Sequence, residues 1–292
     1  MRENFELINH GQSTPGRLHS LLRLVKRLGQ ADRQQVLDFL QPPQLVDNQA
    51  AAIQVYTDAL RLGLLQLVEG QRDQVTLTPT VINENLESVS TFRIIMQQQL
   101  LSITEPQQDN YLLNLYAAWY AVQDEWVLQA SNKEDLSIKF NRELFPRDEA
   151  ESLAGGRAFN PTKLNAWLTW AAFLGWGITY NKRLLPAAQK RLLPVLKTLA
   201  GRKMAIGEFM GVIAQRCPEL DGGELFQYCK QVSRPAEGQT QQLSLMLSTA
   251  LRHFHGKGKL ILEHRADATD RWYLYRATGH SLVEVNAVEV RG

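Results

Sequence analysis

At 292 residues, with 44% apolar and 21% charged side chains, the chain has the composition of an ordinary globular protein and the length for two or three domains, which excludes the disordered and fibrous classes. Its apolar runs all fall short of the roughly 18 to 20 residues that cross a bilayer, and the N-terminal MRENFELINH lacks the apolar core of a signal peptide, so a cytoplasmic protein without membrane attachment is expected. A formal net charge of +2 excludes a uniformly basic or acidic surface, and any polyanion site must come from local clustering.

In chain order, the first ten residues and the GQSTPG that follows read as a flexible lead-in with turn chemistry. Leu18, Leu21, Leu22, Val25 and Leu28 then recur at helical spacing and stop at Gly29. A short helix from Asp32 to Leu40 is predicted to end at Pro42 and Pro43, and Asp47 or Asn48 can cap a third from Gln49 to Leu62. After Gly63, LLQLV reads as a strand, EGQRD as a turn and QVTLT as a returning strand before Pro79. Three helices followed by a two-stranded hairpin is the winged-helix plan, a helix-turn-helix variant, expected here over residues 1–85.

A helical middle region is expected over 86–155, with helices from Leu86 to Leu101 and Tyr111 to Leu128, then a polar stretch from Asn132 to Arg147 and a connection at AGGRAFNP. Next comes WLTWAAFLGWGITY, Trp167 to Tyr180, which contains no charge. Set against TDALRLGLLQL (Thr57 to Leu67), TWAAFLGWGIT (Thr169 to Thr179) aligns Gly63 with Gly175, Ala59 with Ala171 and Leu62 with Leu174. Both stretches run on to a proline, Pro79 and Pro186, suited to start a helix. This predicts a second winged-helix-like unit over 156–204, with Trp167, Trp170, Phe173 and Leu174 facing a core. Trp176 and Tyr180, on the following strand, are the candidates for stacking on bases. A third unit over 205–292 is expected from a helix at Gln241 to His255, strand KLILEHR, turn ADATD and strand RWYLYR.

The second unit is basic. The 56 residues from Ser152 to Gly207 hold no Asp or Glu and nine cations: Arg157, Lys163, Lys182, Arg183, Lys190, Arg191, Lys197, Arg202 and Lys203. The rest of the chain carries 23 basic against 30 acidic groups. Such a one-sign segment attracts a phosphate backbone, and it equally suits a solvated face that neutralises an acidic protein surface. Lys257, Lys259, Arg265, Arg271 and Arg276 form a second cluster about the C-terminal strands, interleaved with Trp272, Tyr273 and Tyr275. Phosphate contact by such residues would be salt-dependent and largely independent of sequence.

Catalytic signatures are wanting: GKGK at Gly256 to Lys259 lacks the upstream glycine and the hydroxyl residue of a phosphate-binding loop, and no GxSxG occurs. In the HFH of His253 to His255 the two imidazoles point about 200° apart on a helix, so no metal site is expected. Cys217 and Cys229 read as small buried apolar residues, and Glu219, Asp221 and Glu224 in PELDGGEL as a helix start. No cofactor is expected.

The chain sets in order a winged-helix pattern, a Tyr-Ala-Ala-Trp-Tyr-x-x-x-Asp helix at Tyr116 to Asp124, NPTKLNAWLTWAAFLGWG and the basic LLPAAQKRLLP. On these parts it resembles the DpdG-type accessory proteins of bacterial clusters that insert 7-deazaguanine bases into DNA and restrict unmodified DNA. The resemblance implies an accessory role in phage defence beside helicase, ATPase and nuclease subunits. The expectation is a non-enzymatic subunit that contacts double-stranded DNA through the basic units and other proteins through its aromatic faces. The alternative is a winged-helix adaptor that binds proteins alone.

Overall fold

The computed structural model describes residues 4–123, 131–145, 158–181, 183–234, 241–266, 269–275 and 284–291. It is built mostly of helices with small antiparallel sheets. Among the described residues no helix is long and apolar enough to cross a membrane.

Helix α1 (Pro15–Leu28) begins where the Thr14 hydroxyl accepts the Arg17 N–H and Pro15 takes the first helical position, and it stops at Gly29, φ 75°. It buries Leu18, Leu21, Leu22 and Val25, the stripe its spacing predicts. Strand β1 (Ala31–Asp32) leads into α2 (Arg33–Leu40), whose first turn is capped by the Asp32 carboxylate. Helix α3 (Ala50–Arg61) then feeds the hairpin β2 (Leu65–Val68) and β3 (Gln71–Leu77). The sheet order is β1-β3-β2, so Asp32, expected to start the helix, and Ala31 before it supply a third strand. The turn shrinks to Glu69 and Gly70 because the register shifts between Leu67 and Val68.

After the short α4 (Pro79–Ile82) come α5 (Val89–Leu100) and α6 (Tyr111–Val122). Helix α6 is buried along nearly its whole length, as a helix apolar on every face must be; it ends at Val122 with Gln123 extended, short of the predicted Leu128, and residues 124–128 lie outside the described residues. The stretch read as polar forms a further helix, α7 (Lys133–Leu144), with a capping box between Asn132 and Asp135. Its charges hide a stripe of Leu136, Phe140 and Leu144 that packs inward.

The lead-in is also ordered. Phe5, Leu7 and Ile8 are buried, the last two in a single 3-10 turn. The Phe5 and Leu7 N–H groups donate to Asp109 Oδ1 and Asn110 Oδ1, both at 2.8 Å, and Glu6 Oε1 accepts the Leu112 N–H at the start of α6. A turn-rich composition carries no trace of a partner a hundred residues away.

Helix α8 (Pro161–Leu174) ends at Gly175, φ 101°, and gives way to β4 (Gly177–Tyr180), β5 (Arg183–Pro186) and α9 (Gln189–Thr198). The internal repeat is reproduced in two hydrogen bonds, while the glycines themselves differ, Gly63 N–H donating to Leu60 O and Gly175 N–H to Ala171 O. Leu64 N–H donates to Ala59 O at 3.0 Å and Trp176 N–H to Ala171 O at 2.9 Å; Thr78 N–H closes on Leu64 O at 3.2 Å and Ala187 N–H on Trp176 O at 3.3 Å. The third unit obeys the same rule, with Lys259 N–H on Phe254 O at 3.0 Å behind Gly258, φ 68°. Pro186 departs from expectation: it closes β5, and α9 starts three residues later.

The C-terminal part comprises β6 (Lys203–Ala205), α10 (Ile206–Arg216), α11 (Glu224–Ser233), α12 (Leu245–Gly256), β7 (Leu260–Glu263), β8 (Trp272–Tyr273), β9 (Glu284–Val285) and β10 (Ala287–Val290). The hairpin predicted between KLILEHR and RWYLYR does not form. Strand β7 pairs with β10 in a sheet of order β6-β10-β7, and β8 pairs with β9. Strand β10 offers the apolar partner: Ala287, Val288 and Val290 are buried beside Leu260 and Leu262. Asn286 fixes the register by donating from Nδ2 to Arg265 O and accepting the Arg265 N–H on Oδ1. The order β6-β10-β7 repeats β1-β3-β2, including the short strand between the first two helices.

Candidate nucleic-acid interface

Four tryptophans are buried in the central core. Trp119, Trp167, Trp170 and Trp176 are fully buried, and each indole N–H has an acceptor: Glu143 Oε2, Leu113 O, Ser13 O and Glu219 Oε1 respectively. Trp167, Trp170 and Leu174 face the core as expected, with Phe173 packed at its margin. Trp176, expected to stack on bases, is therefore closed off from them, whereas Tyr180 is 64% exposed on β4.

The cations of the acid-free segment divide by environment. Lys190 and Lys197 are exposed on α9, Arg183 is exposed on β5, and Lys182 lies outside the described residues with Arg157. Arg191, expected among the DNA contacts, is buried at 6% exposure and unavailable to them. Its Nε donates to Glu219 Oε1 at 2.7 Å and its Nη2 to Arg216 O at 2.7 Å. The Glu219 charge and hydrogen bond more than offset burial and hold the guanidinium above its ordinary range. Glu219 also takes the Trp176 N–H, so this ion pair joins α9 to the root of β4. Asp221 accepts from Ser244 N–H at 2.5 Å and Oγ–H at 2.6 Å, and Gly223 caps α11, where a Cβ would meet Pro218 O at 2.4 Å. The PELDGGEL carboxylates with described partners are thus bound into the structure.

One cation was invisible in the acid-free count because it lies far upstream. Arg93 on α5 donates from Nε to Phe173 O at 2.7 Å and stacks over the Phe173 ring at 5.3 Å. Burial, then the repulsion of Arg93, holds the Lys190 ammonium below its ordinary value. Two cations from different elements thus lie about the end of α8, Arg93 on Phe173 O and Lys190 against Gly175.

The C-terminal cations are differently placed. Lys203 pairs with Glu263 at 2.5 Å, Arg265 with Glu263 at 2.9 Å, Arg202 with Glu208 at 2.8 Å and Arg271 with Glu284 at 3.4 Å. Lys257 and Lys259 are exposed and have no ion pair among the described residues; Arg276 lies outside those residues. Cys217 and Cys229 are buried free thiols, and burial pushes Cys217 up to about 12. His255 Nδ1 accepts the Leu262 N–H at 3.1 Å, and among the described residues no three His, Cys, Asp or Glu side chains gather as a metal site would require.

Repeated helix–glycine–hairpin units with basic residues at their edges, on a shared aromatic core, define a mostly helical protein with small antiparallel sheets. A family model described as DpdG-like matches residues 5–268, and the chain belongs to that family. Membership connects it with a DNA-modification cluster. Comparison with curated proteins and with solved structures returned no match.

Proposed function

We propose that the protein is a non-enzymatic, winged-helix accessory subunit that contacts the phosphate backbone of double-stranded DNA within a modification and restriction assembly. The observation that carries this reading is the set of exposed cations, Lys190, Lys197, Lys257 and Lys259, which have no carboxylate partner among the described residues. The paired cations Arg202, Lys203, Arg265 and Arg271 are partly neutralised and contribute less. The winged-helix assignment is supported by the strand orders β1-β3-β2 and β6-β10-β7, each with a helix before its short first strand.

A second reading, protein docking, is favoured for the N-terminal unit alone. Helix α3, which in this plan would enter the major groove, carries Arg61 as its single cation, at its far end, and the α2–α3 corner exposes Phe39, Leu45 and Ile53.

Fluorescence anisotropy of a labelled duplex against salt tests the proposal. Each cation that neutralises a phosphate contributes about 0.9 to the slope of log K against log salt. Reversing Lys190, Lys197, Lys257 and Lys259 to Glu should flatten that slope by about 3 to 4, and reversing Arg202, Lys203 and Arg265 should flatten it less. Absence of duplex binding at low salt would overturn the DNA reading and leave the adaptor.

A further inference from the structure

The hairpin of β4 and β5 has two unlike faces. Its rear is anchored: Leu184 is buried, the Tyr120 hydroxyl donates to Leu184 O at 2.6 Å, and Gly177 presses so close that a Cβ there would lie 2.5 Å from the Leu184 side chain. The register pairs Ile178 with Leu185 and Tyr180 with Arg183. Strand alternation puts those four residues together on the opposite, outward face. They are exposed there, Ile178 by 53%, Tyr180 by 64% and Leu185 by 41%, in a segment without a single acidic residue. A soluble hairpin whose outward side needed only solvent would carry polar residues at these positions.

We infer that this outward face is a stacking platform for the unpaired bases of single-stranded DNA, an inference that rests on the DNA-binding reading above and adds to its duplex contact a second form of DNA, held by the β4–β5 hairpin. A single strand offers a ring face and a phosphate at every nucleotide. Tyr180 and Arg183, directly opposite on adjacent strands, offer an aromatic surface and a cation about 5 Å apart, the spacing of cross-strand neighbours. Ile178 and Leu185 extend the surface toward the root of the hairpin, where Lys190 adjoins Gly175 and Arg93 holds Phe173 O. A duplex keeps its bases stacked inside and has no use for an apolar face, and an apolar protein partner has no use for the excess of positive charge around it. The rigid rear anchoring means that the platform exists before the strand arrives, so little ordering opposes binding.

The test uses the full chain, a labelled oligothymidine of about 20 nucleotides and a duplex of equal length, with affinities measured by anisotropy at fixed salt. Single-strand affinity should fall at least tenfold in Tyr180→Ala, be largely retained in Tyr180→Phe, and fall again when Ile178→Ser is added, while duplex affinity stays within twofold throughout. Because Tyr180 and Ile178 are exposed, the variants should keep the native far-ultraviolet circular dichroism, which is checked alongside. If Tyr180→Ala binds the single strand as the unchanged protein does, or if the unchanged protein binds duplex but not single strand, the platform is overturned while the duplex reading stands. If it binds neither form at low salt, both readings fall.

Discussion

Glu6 is a carboxyl placed where a carboxylate is costly. Burial, opposed by the Leu112 N–H and by Lys163 and reinforced by Asp109, pushes it from 4.5 up to about 8, and its Oε2 has no hydrogen-bond partner among the described residues. The unfolded chain releases this proton near 4.5 and the folded chain near 8, so between those values the native state binds more protons and stability falls as pH rises. The limiting size is about 5 kcal/mol for a shift of this extent. Glu6→Gln keeps an oxygen to accept the Leu112 N–H and removes the titration. Urea unfolding between pH 5 and 8 should therefore show a downward trend in the natural protein that is much shallower in the variant; parallel profiles would contradict the assignment. Nothing in MRENFELINH marks that glutamate as buried, because its partners lie more than a hundred residues away. Arg191 was more legible: it stands four residues before Val195 on the apolar stripe of α9, a position solvent-facing cations avoid. The missing information was Glu219, the partner that makes burial tolerable.

Among elements, the repeated glycines separate two physical effects. Gly63 and Gly175 both end a helix in the left-handed region, φ 64° and 101°, and both precede the N–H that closes on the alanine five residues back. Among the described residues a Cβ on Gly63 meets nothing within 4 Å, whereas one on Gly175 would lie 2.7 Å from both Arg191 N and Lys190 Cβ. Gly63→Ala should cost about 1 kcal/mol, from the backbone conformation alone. Gly175→Ala adds overpacking against the backbone of α9 and should cost roughly 3 kcal/mol or more. Equal losses in denaturant unfolding would refute the distinction. The junction is tight because α9 contains Pro194, which cannot donate to Lys190 O; Gln97 Nε2 serves that carbonyl at 3.3 Å and Leu174 O at 2.7 Å. Helices with clean stripes, such as α1 and α8, were readable from spacing, and so was the repeat. Strand pairing was less so, since β7 chose β10 over the nearer RWYLYR on the strength of buried valines and the Asn286 clasp, neither of which is a local signal.

At the scale of the molecule, the described apolar side chains form one connected core that runs past every loop at which the chain could be divided. The stitches join distant segments: Trp170 Nε1 donates to Ser13 O across 157 residues, Tyr120 to Leu184 O across 64, and the Cys229 thiol to Leu115 O across 114. The 3-10 turn of Leu7–Asn9 packs on α8, and α11 lies along α6. Composition and periodicity locate elements but assign no partner to a buried indole N–H, so this continuity was beyond the sequence. Its consequence is thermodynamic. Units that share a core lose each other's contacts when one opens, and the opened state exposes Trp167, Trp170 and Trp176 without regaining the entropy of a fully free chain. Equilibrium urea unfolding should therefore be a single transition. Tryptophan fluorescence, weighted toward the four buried indoles of the central region, should share its midpoint with far-ultraviolet circular dichroism, which reports helices from α1 to α12. Lys190→Glu, at an exposed position, should leave that coincidence intact, while Trp170→Phe, which strands Ser13 O without its donor, should lower the common midpoint by about 1 to 3 kcal/mol equivalent without splitting it. Two resolved midpoints in the natural protein would mean that the N-terminal unit folds independently and that the contacts with α8 are docking contacts between domains.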